Sequence, residues 1–201
     1  MKITAIIGTY RKGGMIDQAV DEILAAAREE GAETAKIHLL DKHIEFCRNC
    51  RACMQREGSK RGECPLADDM GAILDEIEEA DAIVIASPMN FGTVTAVMKM
   101  FIERLACFAY WKWRMMAPKV RNKEKRKRAV VVAASAAPAF ISRLTSKMIG
   151  LMEDAAGLLG AKPIGVLFVG MAAREQRQEI GERTRQQARR LGKQLAADKR
   201  M

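Results

Sequence analysis

The sequence predicts an α/β protein, a three-layer sandwich whose five-stranded parallel sheet, of order 2-1-3-4-5, is covered by helices on both faces. Three observations point there. Short runs that are apolar at every position, such as 82–86 and 129–133, recur along the chain, and such strands are buried on both faces, as in parallel sheets. Between them lie longer stretches with apolar residues at helical spacing, for example Ile16, Ala19, Val20, Ile23, Leu24 and Ala27. The strand–helix alternation repeats five times, the order of elements in a doubly wound sheet.

The elements are expected in this order. Ile3–Ile7 is the first strand, followed by a glycine-rich turn and a helix over Met15–Glu30 that Gly31 ends. Thr34–Leu40 is the second strand. A polar, cysteine-bearing insertion at about 43–67 precedes a helix that Asp68 or Asp69 caps and that runs to Glu79. Ala82–Ala86 is the third strand and Thr95–Ala106 the third helix. A fourth strand lies within 128–135, a long helix spans Phe140–Leu159 before Gly160, Pro163–Val169 is the fifth strand, and Arg174–Ala197 is the last helix. With no internal repeat or linker, residues 1–201 read as a single domain carrying the insertion.

Hydrophobic residues make up 49% and charged residues 29% of the chain, which fits a globular protein rather than a disordered one. No apolar run approaches the ~20 residues of a membrane span. The apolar start is too short for a signal peptide and Thr9-Tyr10-Arg11-Lys12 follows at once, so the expected location is cytoplasmic. The net charge of +9 is concentrated at 119–128 and in Arg183, Arg185, Arg189, Arg190 and Lys193. These read as a solvated loop and a solvated helix face rather than a nucleic-acid surface.

The turn after the first strand, Gly8-Thr9-Tyr10-Arg11-Lys12-Gly13-Gly14-Met15-Ile16, has the chemistry of an anion site. Backbone N–H groups at a helix N-terminus carry partial positive charge. Thr9 adds a hydroxyl, Arg11 a charged fork, and Gly13 and Gly14 let the backbone curl closely. The turn is neither a Walker loop nor G-x-G-x-x-G.

The loop after the third strand begins Ser87-Pro88-Met89-Asn90-Phe91-Gly92, with Lys99, Ile102 and Arg104 in the helix that follows. It resembles the flavin-ring loop of the NADPH-dependent FMN reductase group of flavodoxin-like proteins, whose pattern it matches at Ser87, Pro88, Gly92, Lys99, Ile102 and Arg104. The first loop resembles the same group's phosphate loop at Gly8, Arg11 and Gly14, with Thr9 in place of Ser. The resemblance implies a flavodoxin-like fold and an FMN site formed by Thr9, Arg11, Gly13, Gly14, Met15 and Ile16 around the phosphate. Pro88, Met89, Asn90, Phe91 and Gly92 would border the ring, with Ser135 and Ala136 near its edge. Met15 and Ile16 stand where the group has Asn and Thr or Ser, and Asn90 where it has Tyr, so some side-chain contacts must differ. The resemblance also implies NAD(P)H as a transient co-substrate and a homodimer or homotetramer. A pyridine nucleotide would stack on the exposed flavin and react by a ping-pong sequence. No catalytic acid or base is expected, because the flavin carries the chemistry.

Cys47-x-x-Cys50-x-x-Cys53, with Cys64 further on, has the ligand count and spacing for a [4Fe–4S] cluster and resembles the iron–sulfur flavoproteins, whose gap before the fourth cysteine is shorter. Redox-active thiols, with Arg48 and Arg51 lowering thiol pKa values, and a structural zinc are the alternatives. Cys107 reads as packed. The segment from Phe108 to Met116, which holds Trp111 and Trp113, is expected to prolong the third helix towards a subunit interface, with a helix end packed in the core and a wall over the flavin as the alternatives. The functional expectation is an FMN-binding oxidoreductase that passes electrons to a small-molecule or protein acceptor. A non-enzymatic electron-transfer flavoprotein is the alternative, and a colourless nucleic-acid-binding relative the more distant one.

Overall fold

The computed structural model describes residues 1–197 apart from Ser59 and Asn122, and only the backbone of Leu144 and Thr145. In chain order the elements are β1 (Lys2–Ile7), α1 (Met15–Glu29), β2 (Glu33–His38), α2 (Met70–Glu79), β3 (Ala82–Pro88), α3 (Ala96–Arg104), β4 (Ala109–Tyr110), β5 (Lys119–Val120), β6 (Lys127–Ala134), α4 (Ala139–Thr145), α5 (Met148–Leu158), β7 (Ala161–Val169) and α6 (Glu182–Ala196). The sheet runs β2-β1-β3-β6-β7, parallel throughout. Counting its five strands in chain order, this is the expected 2-1-3-4-5.

Alternating faces of the strands feed two cores. Ile3, Ala5, Ile7, Val84, Val130 and Val132 pack under α1 and α6, and Ile6, Ile83, Ile85, Ala129 and Val131 pack under α2, α3 and α5. All of these strand residues are fully buried, so burial on both faces explains their unbroken apolarity. Part of the basic face of α6 is matched by acids of α1 and its C-cap residue. Arg185 pairs with Glu22 (2.9 Å), Arg189 with Glu29 (2.6 Å) and Lys193 with Glu30 (3.4 Å).

Three elements differ from the expectation. The helix over Phe140–Leu159 is two helices, broken at Ser146, whose backbone is extended (φ −114°, ψ 138°). Its hydroxyl accepts from Met148 N–H (3.1 Å) and donates to the Gly92 carbonyl (2.7 Å), a local serine bond that competes with helix continuation. The last helix begins at Glu182 rather than Arg174, because 170–181 forms a loop. The third helix ends at Arg104, passes through a 3-10 turn at Leu105–Phe108, and leads into the antiparallel β4–β5 ribbon rather than a longer helix.

Candidate functional site

The carboxyl ends of β1, β3 and β6 meet on one edge of the sheet. Their connections interlock: Gly8 N–H donates to Ala86 O (2.8 Å), Met89 N–H to Ala134 O (2.7 Å) and Ser135 N–H to Val169 O (2.9 Å). Thr95, fully buried, caps α3 by accepting from Met98 N–H (3.3 Å) and donates its hydroxyl proton to Gly8 O (2.6 Å), while its own N–H donates to Ser87 Oγ (3.1 Å). Only glycine fits at position 8, where an added Cβ would stand 2.7 Å from Met98 Cβ. Ser87 of the motif and Thr95, the cap of α3, thus brace one loop against the other.

Between these connections lies a cleft of about 1000 Å³, large enough for a mononucleotide cofactor. Thr9, Arg11, Gly13, Gly14, Met15, Ile16, Pro88, Met89, Asn90, Ser135 and Ala136 line it. Phe91 and Gly92, expected beside them, do not. They are the central residues of a tight turn closed by Asn90 and Thr93 (N···O 2.8 and 3.1 Å), both with positive φ (48° and 78°), as a type I′ turn requires. The turn carries the Phe91 ring fully into solvent.

In the first loop Thr9 is buried and its hydroxyl accepts from Arg11 N–H (3.2 Å), so it shapes the turn. The Gly13 N–H is taken by Asp17 Oδ2 (2.7 Å). Burial alone would raise the Asp17 pKa, but that N–H and the Lys36 ammonium (2.8 Å) hold the carboxyl below its ordinary range. The Met15 and Ile16 side chains point into the core, which is why polar residues are not needed there. Their backbone N–H groups belong to the first turn of α1, which has no side-chain cap, and so face the cleft without intrahelical partners. Lys12 pairs with Asp41 (2.6 Å), whereas Arg11 is exposed and has no ion pair among the described residues.

One wall was not foreseen. Residues 172–179 line the cleft through Ala172, Ala173, Glu175, Gln176, Arg177, Gln178 and Glu179. Met171 N–H donates to Ala137 O (3.1 Å) and Ala172 N–H to Ser135 O (2.8 Å). A second cavity, about 650 Å³, opens at the amino ends of the strands. Lys127 fills part of that edge by capping the carbonyls of Ile77 (3.0 Å) and Glu78 (2.6 Å).

The cysteine segment is stapled at its base by Asp68 and Asp69. His43 N–H donates to Asp69 Oδ2 and Glu45 N–H to Asp68 Oδ2, each at 2.8 Å, and Asp68 Oδ1 also accepts from Met70 N–H (3.1 Å) at the start of α2. Arg104 is buried against Asp68 and donates to Glu45 O (2.9 Å) and Cys64 Sγ (3.5 Å). Arg121 donates to the carbonyls of Cys53 (2.9 Å), Cys107 (3.0 Å) and Gly58 (3.3 Å). Gly62 packs so tightly on Cys53 that an added Cβ would fall 1.7 Å from its carbonyl oxygen.

The aromatic segment folds back on this loop. Trp111 N–H donates to Met54 O (2.9 Å). Arg51, in left-handed backbone (φ 59°), is stacked between Trp111 and Trp113 at 3.8 and 4.3 Å from the ring centroids and donates to Trp111 O (2.8 Å). Arg51 is therefore committed to the rings. Burial raises the Cys53 thiol, and the thiols of Cys64, Cys47 and Cys50 raise it further. Cys107 is pushed up to about 12 by burial first and then by Cys53. The expected lowering of thiol pKa values thus does not occur at Cys53. All five cysteines are free, and among the described residues no three His, Cys, Asp or Glu side chains are drawn together closely enough to hold a metal ion. No helix among the described residues is long and apolar enough to cross a membrane.

A five-stranded parallel sheet of this order, with a cleft where the strand order reverses, defines a flavodoxin-like protein. The chain belongs to the NADPH-dependent FMN reductase family, whose model matches residues 1–175. It is 36% identical over 110 residues to an iron-sulfur flavoprotein of Archaeoglobus fulgidus, a stretch covering 55% of this chain and 48% of that protein. It is 40% identical over 104 residues to an iron-sulfur flavoprotein of Methanocaldococcus jannaschii, covering 52% of this chain and 51% of that one. The matched stretch thus spans about half the length of these relatives. The solved FMN-dependent NADH-azoreductase of Bacillus anthracis, in complex with FMN, superimposes with a TM-score of 0.71 at 12% identity, covering 98% of this chain and 100% of that one, a likeness of fold.

Proposed function

We propose that this chain binds FMN in the cleft at the carboxyl ends of β1, β3 and β6 and acts as an NAD(P)H-dependent oxidoreductase. The observation that carries the reading is the convergence of three strand-end loops on one cleft that combines an uncapped helix N-terminus, an Arg11 with no ion pair among the described residues, and small Ser135 and Ala136. The donor chemistry fits a phosphate monoester at one end and a flat ring at the other. Bound there, FMN supplies hydride and electron transfer. The Met15 and Ile16 N–H groups and the Arg11 guanidinium bind the phosphate. Pro88, Met89 and Asn90 flank the ring from the loop after β3, and Ser135 and Ala136 permit close approach. Family membership supports this reading.

A second reading deepens the first. Cys47, Cys50, Cys53 and Cys64 supply four free thiols from one segment, the donor count of a [4Fe–4S] cluster, and the named relatives are iron-sulfur flavoproteins. These four would hold the cluster, which supplies one-electron transfer. A chain so equipped relays electrons to a small-molecule or protein acceptor.

The test is the absorption spectrum and iron content of protein purified without oxygen, followed by titration with FMN and NADPH or NADH. Flavin bands with about four irons per chain support both readings. Flavin bands without iron leave the reductase alone. Protein that neither carries nor takes up FMN overturns the proposal.

A further inference from the structure

We infer that Gln18 is a positioning residue for the phosphate end of the cleft, pinning the 171–180 loop so that Arg177 joins Arg11 around the same anion. The inference rests on the FMN reading above. Gln18, in the second turn of α1, uses its whole amide. Its Nε2 donates to Gly13 O (2.8 Å) in the phosphate loop and to Gln178 O (3.0 Å) in the far loop, and its Oε1 accepts from Ile180 N–H (3.0 Å). One side chain therefore joins the turn after β1 to a segment some 160 residues away in sequence.

The loop it holds is closed by polar contacts. Gln178 Nε2 donates to Met171 O (3.0 Å) and its Oε1 accepts from Arg174 N–H (3.2 Å). Residues 173–177 are all exposed, and Ile180 alone of 173–180 is buried. With so little apolar burial, the position of the loop depends on these amide bonds. Both Arg11 and Arg177 line the cleft, and neither has an ion pair among the described residues. Glu175 and Glu179 of the loop line it too, while Lys12 is held by Asp41. A phosphate monoester carries a charge of about −1.5 to −2 at neutral pH, so a second arginine matches what Arg11 leaves uncompensated.

The experiment uses the full chain freed of flavin and measures affinity for FMN and for riboflavin, which lacks the phosphate, by quenching of flavin fluorescence. Gln18→Ala and Arg177→Ala are each expected to weaken FMN binding about tenfold while leaving riboflavin within about twofold, the loss of one charge-assisted hydrogen bond. Gln18→Glu, which keeps the acceptor and the shape but loses both donors and adds a negative charge beside the phosphate, should weaken FMN binding at least as much as Gln18→Ala. The double variant should bind FMN no more weakly than Arg177→Ala alone, because Gln18 acts through that residue. Unchanged FMN affinity in Gln18→Ala, equal loss of both flavins, or additive losses in the double variant would each overturn the inference and leave the FMN reading standing. A wild-type chain that binds neither flavin overturns both.

Discussion

Arg104 grips Asp68 with both arms of its guanidinium inside the base of the cysteine loop, and the two side chains are sealed from solvent at 2% and 0% exposure. Every oxygen of Asp68 is used: Oδ2 also takes the Glu45 N–H, and Oδ1 the Met70 N–H. Arg104 comes from α3, Glu45 from the loop and Met70 from α2, so one ion pair joins three segments. Removing one partner strands a buried charge. Asp68→Ala should cost about 3–5 kcal/mol, whereas replacing both residues by apolar side chains of similar volume should cost much less. Urea unfolding of the single and double variants checks both.

The same pair fixes an acid sensitivity. Burial alone would raise the Asp68 pKa, but the Arg104 hydrogen bonds and the two N–H donors outweigh it and hold the carboxyl below its ordinary 3.8. A lowered folded-state value means that its stabilisation is complete above the unfolded value and is lost as pH falls through the folded one. Wild-type stability should therefore drop below about pH 4, and Asp68→Asn should flatten that part of the curve. Equal acid sensitivity in the two proteins would remove Asp68 from the account.

The strands were legible because β1, β3 and β6 are buried on both faces beyond their first residues and, past Lys2, Lys127 and Arg128 at their starts, carry no polar residue but Thr4 and Ser87. The first and third loops were legible because strand ends in a doubly wound sheet are where ligands gather. What escaped was built from long-range polar contacts that leave no periodic trace. Residues 174–180 are rich in Glu, Gln and Arg, good helix formers, yet Gln18 and Gln178 hold them as a loop. The Ser146 break and the Arg121 bonds to three carbonyls are of the same kind. Gly62 carried a signal only the structure could interpret, the missing Cβ that lets it lie on Cys53.

Arg51 should prove sensitive to shape as well as charge. Its guanidinium is planar and stacks on two indoles, which a lysine ammonium cannot reproduce. Arg51→Lys and Arg51→Ala should each lose about 1–2 kcal/mol of stability and shift tryptophan emission to longer wavelength as Trp111 and Trp113 gain solvent. Full retention of both properties in the lysine variant would mean that charge alone matters there.

Thiol reactivity should follow burial. Cys50 and Cys64 are exposed, Cys47 and Cys53 half-buried and Cys107 buried. In apo-protein an aromatic disulfide reagent should modify Cys50 and Cys64 first, and Cys107 only on unfolding, since thiolate is the reacting form and the Cys107 pKa stands at about 12. Gly62→Ala must push the Cys53 carbonyl away, so Cys53 should join the fast class. An unchanged order in that variant would show that the loop yields without cost.

Arg11 should determine how far the phosphate contributes to flavin affinity. It is the one cation of the first loop with no acidic partner among the described residues, since Lys12 is held by Asp41. The side chains of Met15 and Ile16 turn into the core, so those two residues offer a phosphate only their backbone N–H groups, beside this guanidinium. Arg11→Ala should weaken FMN binding about ten- to a hundredfold, as expected for a lost charge-assisted hydrogen bond in a site with few others. Riboflavin affinity should hardly change, and the salt dependence of FMN binding should shrink. Lys12→Ala, by contrast, should change FMN affinity little, because its charge is already balanced. If Lys12→Ala proved the more damaging, the phosphate would sit nearer the Lys12 ammonium, and the roles of the two cations would be exchanged.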